Sequence, residues 1–247
     1  MFEKNKVQVS HLTKRFGDLV VLDDISFNVK KGEFLCIVGP TGCGKTTFLN
    51  SLTKLLKIDG GEILIDGEPV NPRKHDLAYV IQEYSAIPWL NVEENIRFGL
   101  KIKRKPKEEA NRRVKEVMEM VGLEKFSSYY PRQLSASMLQ RVVIARAFAV
   151  LPDLLLMDEP YGQLDIDLRF KLEDELLKLA KSMNTTVIFI THNIEEAVYL
   201  GQRILVLTNK PAHIKEEITV DLPYPRSIAD AKFVELRSRV TELIKWW

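Results

Sequence analysis

The stretch Gly39 to Thr47 reads GPTGCGKTT, and it decides the fold. Gly39, Gly44, Lys45 and Thr46 stand at the spacing G-x-x-x-x-G-K-T of a phosphate-binding loop. Glycines let several backbone N–H groups turn toward one phosphate chain, while Lys45 brings positive charge to the β and γ oxygens and Thr46 offers a hydroxyl to Mg²⁺. The sequence therefore predicts a site for a nucleoside triphosphate.

The segments on either side of this loop have the required character. Glu33 to Val38 is a short apolar run typical of a buried strand, and Lys45 to Leu56 carries apolar residues at helical spacing. Phosphates would then lie at a helix N-terminus, where free N–H groups and the helix dipole favour anions. The alternative is a glycine turn with a chance lysine. The residues expected to contact the nucleotide are Gly39, Pro40, Thr41, Gly42, Cys43, Gly44, Lys45, Thr46 and Thr47.

Charge, apolar runs and cysteine spacing narrow the class of protein. The chain has 247 residues and a net charge of +2, which gives no global attraction to nucleic acid or to an anionic membrane. Its longest apolar runs are far shorter than the roughly 18 residues of a membrane span. Cys36 and Cys43 form no C-x-x-C pair, and a soluble protein of a reducing cytosol is expected. The position of Cys43 before a helix could lower the pKa of its thiol and make nucleotide binding sensitive to alkylation; the favoured alternative is an ordinary small residue of the loop.

Periodicity divides the chain into four predicted parts. Residues 1–82 begin with alternating apolar residues typical of an antiparallel β portion and continue into the phosphate-binding loop. Residues 83–151 have only helical periodicity, which indicates an inserted helical subdomain. Residues 152–220 return to alternating strands and helices, as in a parallel sheet, and residues 221–247 end in an amphipathic helix. We expect Ser227 to cap that helix, and Trp246 and Trp247 to fray or pack against it.

A second group of chemical residues follows two later strands. Pro152 to Pro160 reads PDLLLMDEP, an apolar strand that ends in Asp158 and Glu159 at its carboxyl edge, where parallel sheets bind ligands. Asp158 is expected to hold Mg²⁺, and Glu159 to orient and deprotonate the attacking water. Another strand delivers His192 to the same edge, where it could contact the γ-phosphate or that water. The alternatives are solvated acids at a strand end and a structural histidine.

The order of these segments resembles one family closely. Gln133 to Arg141 (QLSASMLQR) is followed by VVIARAFAV, by the DEP run, by YGQLD and by TH. This order is similar to that of ABC-type ATPases, and the resemblance covers nearly the whole chain. It implies an α/β P-loop NTPase core of the ABC ATPase type, with an N-terminal antiparallel β portion and an inserted helical subdomain. It also implies ATP and Mg²⁺ as ligands.

The resemblance implies further roles for single residues. Phe16 matches the aromatic residue that stacks on adenine, although packing in the core is the alternative for an aromatic residue. Gln82 matches the glutamine that reaches Mg²⁺, with Lys45, Glu159 and His192 as its catalytic neighbours. In Gly162 to Asp165 (GQLD), Asp165 matches the aspartate that communicates between two active sites of a dimer.

The signature segment both matches the family pattern and departs from it. Ser135 matches the signature serine that hydrogen-bonds a γ-phosphate held by the opposing subunit, and it could also be an ordinary helix N-cap. Ala136 and Ser137 stand where the family has two glycines. A Cβ at either position adds bulk beside the phosphate, and a required positive φ would cost on the order of 1 kcal/mol. Two hypotheses follow: a homodimer that tolerates the substitutions, and a heterodimer with one weak site.

An apolar cluster after Gln82 indicates a protein partner. Tyr84, Ile87, Pro88, Trp89 and Leu90 would form an interface if exposed, with packing inside the helical subdomain as the alternative for Trp89. This run resembles the subgroup that powers import of nitrate, sulfonates and taurine. The resemblance implies integral-membrane permease subunits as partners, a second ATPase subunit, and indirectly a periplasmic or extracellular solute-binding protein. It places the chain peripherally at the cytoplasmic face of the inner membrane.

Two other classes compete with the importer interpretation. A soluble ABC ATPase acting on nucleic acid or ribosomes would use a basic patch, and Lys101 to Arg113 contains KIKRKPK. Glu108 and Glu109 interrupt that patch, so a solvated helical face is favoured and no nucleic-acid partner is expected. A regulatory subunit with little turnover is the third class, against which Glu159 and His192 argue.

Overall fold

A long hairpin begins the fold. In the computed structural model, which describes residues 4–72, 74–83, 85–162 and 164–244, strand β1 (Asn5–Phe16) pairs antiparallel with β2 (Leu19–Lys30). Two more strands, β4 (Gly60–Ile65) and β5 (Glu68–Pro69), complete a four-stranded antiparallel sheet in the order β2-β1-β4-β5. The predicted N-terminal antiparallel portion is confirmed. Tyr84, Gln163, Trp246 and Trp247 lie outside the described residues.

The second sheet has six strands. They are β3 (Phe34–Val38), β6 (Leu77–Val80), β7 (Leu154–Asp158), β8 (Thr186–Ile190), β9 (Arg203–Leu207) and β10 (Ile214–Thr219). Their order is β10-β9-β3-β8-β7-β6, and all neighbours are parallel except β10 and β9. Every residue of β3, β7 and β8 is buried, as expected for central parallel strands covered on both faces.

Alternation along β3 divides the apolar core into two clusters. Leu35 and Ile37 face a cluster shared with the antiparallel sheet, whereas Phe34, Cys36 and Val38 face a cluster built largely from helices. The helices are α1 (Lys45–Leu52), α2 (Val92–Ile102), α3 (Lys107–Met120), α4 (Ala136–Ala149), α5 (Ile166–Met183), α6 (Ile194–Leu200) and α7 (Ala231–Ile244).

Helices α2, α3 and α4 pack against one another between β6 and β7 in chain order. This arrangement is compatible with an inserted helical subdomain, and the boundaries at residues 82, 151 and 220 stay predictions. None of the helices in the described parts of the chain is long and apolar enough to cross a membrane.

Two predicted helix boundaries are wrong. Helix α1 ends at Leu52 rather than Leu56, because Lys54 turns the backbone to a φ of 59° and leaves Leu55 in solvent. Ser227 does not cap the last helix; Asp230 does so instead, with its Oδ1 accepting from Lys232 N at 2.8 Å. Ser227 accepts at its carbonyl from Asp230 N, in the turn that precedes the helix. Strand β10 was not predicted, because its sequence mixes charged and apolar residues at a sheet edge.

A buried arginine closes the end of α6. Arg226 is 8% exposed, and its Nη1 donates to the carbonyls of Val198, Tyr199 and Gly201 at 2.7, 3.0 and 2.6 Å. These carbonyls have no partner in the next helical turn, since the helix ends at Leu200. The guanidinium thus both satisfies them and places positive charge at the negative end of the helix.

Candidate active site

The predicted chemical residues meet at one edge of the six-stranded sheet. The five parallel strands all end on the same side of the sheet, and a segment that lies at this edge follows each of them. These segments are the loop 39–47 after β3, Gln82 after β6, Asp158 and Glu159 at the end of β7, His192 after β8 and Lys210 after β9. Each segment contributes to the lining of a cleft of about 490 Å³ that also contains Phe16 and Leu19; Asp158 itself is buried beneath that lining.

The loop has the curvature that its glycines allow. Gly42 and Gly44 have φ values of 77° and 120°, in the region that L side chains rarely adopt. A Cβ on Gly44 would also come within 2.9 Å of the side chains of Val21 and Leu22. Lys45 is 6% exposed and donates through Nζ to the carbonyls of Gly39 and Pro40, at 2.8 and 2.9 Å. The lysine charge is therefore held at the first turn of α1.

The structure contradicts a lowered pKa for the Cys43 thiol and supports the favoured alternative of an ordinary loop residue. Its side chain is 1% exposed, and burial raises the pKa of the Cys43 thiol, an effect that Lys45 opposes only in part. The helix N-terminus does not dominate, because the sulfur points into the core that α1 shares with the antiparallel sheet. Cys43 is a buried structural residue of the loop.

Glu159 is the centre of a hydrogen-bonded group. Its Oε2 accepts from Gln82 Nε2 at 3.1 Å and lies 3.0 Å from Nδ1 of His192. Its backbone has a φ of 47°, unusual for a residue with a side chain, and its N–H donates to Ile190 O at 2.9 Å. Three residues predicted from separate strands thus meet at one carboxylate.

Asp158 has the chemistry of a cation ligand. It is 1% exposed, and its Oδ2 has no hydrogen-bond partner among the described residues. Burial raises the pKa of Asp158, while hydrogen bonding from the Thr46 hydroxyl and the charge of Lys45 lower it. A buried carboxylate oxygen without a partner, beside the threonine hydroxyl, fits a site for Mg²⁺, which prefers oxygen ligands and shares them with substrate phosphates.

The tip of the β1–β2 hairpin forms one wall of the cleft. Phe16 is 48% exposed and Leu19 is 51% exposed, so the alternative of core packing for Phe16 is excluded. The Lys14 ammonium lies 5.0 Å from the centre of the Phe16 ring. Sequence reasoning missed Leu19 and Lys210. The only signal for Lys210 was its position shortly after a strand that ends at this edge.

Ser135 and Asp165 do not line the cleft, and each begins a helix. Ser135 Oγ accepts from Met138 N at 3.3 Å, so the predicted N-cap is confirmed for α4. Asp165 Oδ1 accepts from Leu168 N at 3.0 Å and caps α5. Both side chains belong to exposed residues.

The two residues that replace the family glycines adopt ordinary helical backbone. Ala136 and Ser137 are in the first turn of α4, and neither has a positive φ. The strain considered for these positions is therefore absent.

Further along α4, the buried Gln140 donates through Nε2 to Pro160 O at 2.7 Å, which ties the helix to the residue after Glu159.

More than half of the chain matches a known protein family. The family model described as ABC transporter matches residues 22–162, which include the phosphate-binding loop, the signature segment and the acidic strand. The chain belongs to the ABC transporter family. With the predicted α/β P-loop fold in place, it is an ATP-binding ATPase cassette of that family.

Several relatives match nearly the full length. An uncharacterised ABC transporter ATP-binding protein of Methanocaldococcus jannaschii is 43% identical over 98% of this chain and 92% of its own. The aliphatic sulfonates import ATP-binding protein SsuB of Bacillus cereus is 41% identical over 96% of this chain and 93% of its own. The predicted subgroup resemblance is thus confirmed among the relatives of this cassette.

A solved structure matches the fold. The ATP-binding cassette MJ0796, in a dimeric post-hydrolysis state bound to ADP and Pi, is similar with a TM-score of 0.79 and 32% identity. The match covers 88% of this chain and all of that cassette. The fold class predicted from the sequence is confirmed.

Proposed function

We propose that this cassette is the ATP-hydrolysing subunit of an importer for small anionic solutes of the nitrate, sulfonate or taurine kind. The observation that carries the proposal is the convergence of Gln82 and His192 on Glu159, beside the phosphate-binding loop. The name of the Bacillus cereus relative supports the solute class. ATP-dependent closure of two such subunits would drive a membrane permease.

The predicted residues of the cleft each have a task in nucleotide binding or hydrolysis. Phe16 stacks on the adenine, and the N–H groups of loop 39–47 and Lys45 bind the phosphates. Glu159 orients the attacking water and takes its proton, and His192 holds that carboxylate and reaches toward the γ-phosphate. Gln82 fixes the other side of the same carboxylate oxygen.

Thr46, Asp158 and Gln82 would hold Mg²⁺, which neutralises charge on the phosphates when bound. Asp158 Oδ2 supports this proposal, because it is buried and has no hydrogen-bond partner among the described residues. A buried carboxylate oxygen without a hydrogen-bond partner is costly, so a cation bound at Oδ2 would relieve a cost that the contacts of Asp158 with Thr46 and Lys45 leave in part.

An exposed tryptophan supports a membrane subunit as partner. Trp89 is 74% exposed, which excludes the alternative of packing inside the helical region. Its loop is rigidly held, because the buried Asn95 donates to the carbonyls of Ile87, Leu90 and Asn91 and accepts from Ile87 N. A large aromatic residue displayed on an ordered loop is typical of a docking site. Tyr84, also predicted there, lies outside the described residues.

A second ATPase subunit would complete each site. Ser135 and Asp165 are exposed and lie outside this chain's own cleft, as expected if they serve a nucleotide across a dimer. The ordinary backbone of Ala136 and Ser137 favours the homodimer over the heterodimer. Restoring both glycines removes two Cβ groups from the contact. A tolerant homodimer should keep its hydrolysis rate, and a large increase would indicate a damaged site instead.

The nucleic-acid alternative has little support in the charges of the helical region. Lys105 pairs with Glu109 at 2.9 Å, Arg113 with Glu116 at 3.1 Å, and Lys103 with Asp76 at 2.6 Å. Basic side chains neutralised in this way do not form a free positive surface. The importer role places the protein peripherally at the cytoplasmic face of the inner membrane, with a periplasmic or extracellular solute-binding protein upstream.

The test is reconstitution with the neighbouring permease and solute-binding protein in vesicles. ATP hydrolysis should rise when nitrate, an aliphatic sulfonate or taurine is supplied, and solute should accumulate. The Glu159→Gln variant should bind ATP yet accumulate nothing. A Trp89→Ala variant should retain hydrolysis by the isolated subunit and lose copurification with the permease. Accumulation at the wild-type rate in Glu159→Gln would contradict the hydrolytic role.

A further inference from the structure

His192 lines the cleft, and the residues before and after it, Thr191 and Asn193, are held by hydrogen bonds. The His192 side chain is 60% exposed, so little packing holds it, and its Nδ1 lies 3.0 Å from Glu159 Oε2. The residue before it, Thr191, is 2% exposed and donates from its N–H to Ile37 O. The placement of the imidazole therefore depends on how this segment is anchored.

The anchor is the carboxylate of Glu196, which is 6% exposed on α6. Its Oε2 accepts from the Thr191 hydroxyl at 2.6 Å, and its Oε1 lies 3.4 Å from the amide Nδ2 of Asn193. The Thr191 hydroxyl in turn accepts from Asn193 N at 2.9 Å. One buried carboxylate thus holds the residues immediately before and after His192.

A second helix meets this carboxylate. Arg169 Nη1 on α5 lies 3.5 Å from Glu196 Oε1, and Arg169 Nε lies 3.9 Å from the buried Glu173. Arg169 is in the first turns of the helix that Asp165 caps, and its N–H donates to Asp165 O at 3.0 Å. The arginine therefore joins the segment of Asp165 to the segment of His192 within one subunit.

We propose that Glu196 is a positioning residue for His192 and that Arg169 ties this positioning to the start of helix α5. The inference rests on the proposed roles of Glu159 and His192. Glu196 touches neither the cleft nor a reacting atom. It fixes the segment Thr191 to Asn193 so that the imidazole meets the carboxylate of Glu159, and Arg169 makes that geometry dependent on the position of Asp165.

The expected effect is on turnover rather than on nucleotide affinity. Phe16 and Lys45, which bind ATP in the proposed function, belong to other elements and do not contact Glu196. Glu196→Ala should lower kcat between about 10-fold and 100-fold, since a misplacement of about 1 Å can cost on the order of 100-fold. The KM for ATP should change less than about threefold.

Two pairs of variants make the test specific. Thr191→Val removes the hydroxyl at nearly constant volume and should lower kcat, whereas Thr191→Ser keeps the hydroxyl and should restore most of it. Glu195→Gln is the matched control, because Glu195 neighbours Glu196 but pairs outward with Arg237 at 3.1 Å. Thermal unfolding of each purified full-length variant separates a lost fold from a lost position, and the threonine pair serves if Glu196→Ala does not fold.

A double-mutant cycle gives the deciding result. In a His192→Ala background, Glu196→Ala should lower kcat by less than about twofold further, because a residue that acts through His192 has nothing left to position. An equal loss in both backgrounds would overturn the inference, as would a raised KM at unchanged kcat. Wild-type turnover in His192→Ala alone would instead refute the proposed role of the histidine itself.

Discussion

Replacing Glu173 with glutamine is expected to remove a loss of stability at alkaline pH. Glu173 is 1% exposed on α5, and neither of its carboxylate oxygens has a hydrogen-bond partner among the described residues. Burial is the main cause that raises its pKa from the ordinary 4.5 to about 8; the charges of Glu196, Asp174 and Glu195 act in the same direction, and the charge of Arg169 opposes them. The folded protein therefore keeps a proton that the unfolded chain releases.

The sign and size follow from proton linkage. Below about pH 4.5 both states hold the proton, so Glu173 contributes no pH dependence. Between about pH 4.5 and about pH 8 the unfolded state binds fewer protons, and the free energy of unfolding falls by about 1.4 kcal/mol per pH unit. From about pH 6 to about pH 9 the loss amounts to about 3 kcal/mol.

Urea unfolding followed by circular dichroism, at about pH 6 and about pH 9, measures this difference. Wild type should lose about 3 kcal/mol more than Glu173→Gln over this interval, since all other titrations are common to both. The control is Glu175→Gln on the same helix, where the carboxylate pairs with Lys178 at the surface and the expected change is under about 0.5 kcal/mol. Parallel pH profiles for wild type and Glu173→Gln would refute the reasoning.

Three further predictions follow from the site and its support. Phe16→Ala should raise the Kd for ATP about 5-fold to 150-fold by calorimetry, because it removes the stacking surface, and an unchanged Kd would exclude stacking. Cys43 should react with maleimide only after unfolding, because burial protects the sulfur and raises the pKa of its thiol; fast labelling of the native protein would contradict this. Arg226→Met should lower the free energy of unfolding by about 3 kcal/mol, because it leaves the carbonyls at the end of α6 unpaired, and Arg226→Lys should recover part of that loss.

The sequence predicted the cleft well because its residues follow strands with clear patterns. Asp158 and Glu159 end an apolar run, His192 follows another, and the spacing around Lys45 specifies its own loop. Parallel strands bring such ends together without any further information. The same topology explains why Lys210, which follows a fifth strand, belongs to the cleft although no motif marks it.

Side-chain partners inside the fold could not be predicted in this way. In the sequence, Glu173 and Glu196 look like the charged face of exposed helices, and their burial depends on how α5 and α6 pack. The cap of α7 moved from Ser227 to Asp230, because either residue type can cap a helix and only the local turn selects one. Exposure of Phe16 and Trp89 likewise depends on tertiary packing, which composition does not specify.

The cleft lies between the two sheets, and each sheet supplies residues with a different proposed role. One wall is the tip of the β1–β2 hairpin, which carries Phe16 and Leu19, and the other is the edge of the parallel sheet, which carries Glu159 and His192. We expect substitutions at the hairpin tip to change nucleotide affinity and to leave the contacts of Glu159 with Gln82 and His192 in place. With the proposed roles of these residues, we expect nucleotide affinity and turnover to respond to different substitutions.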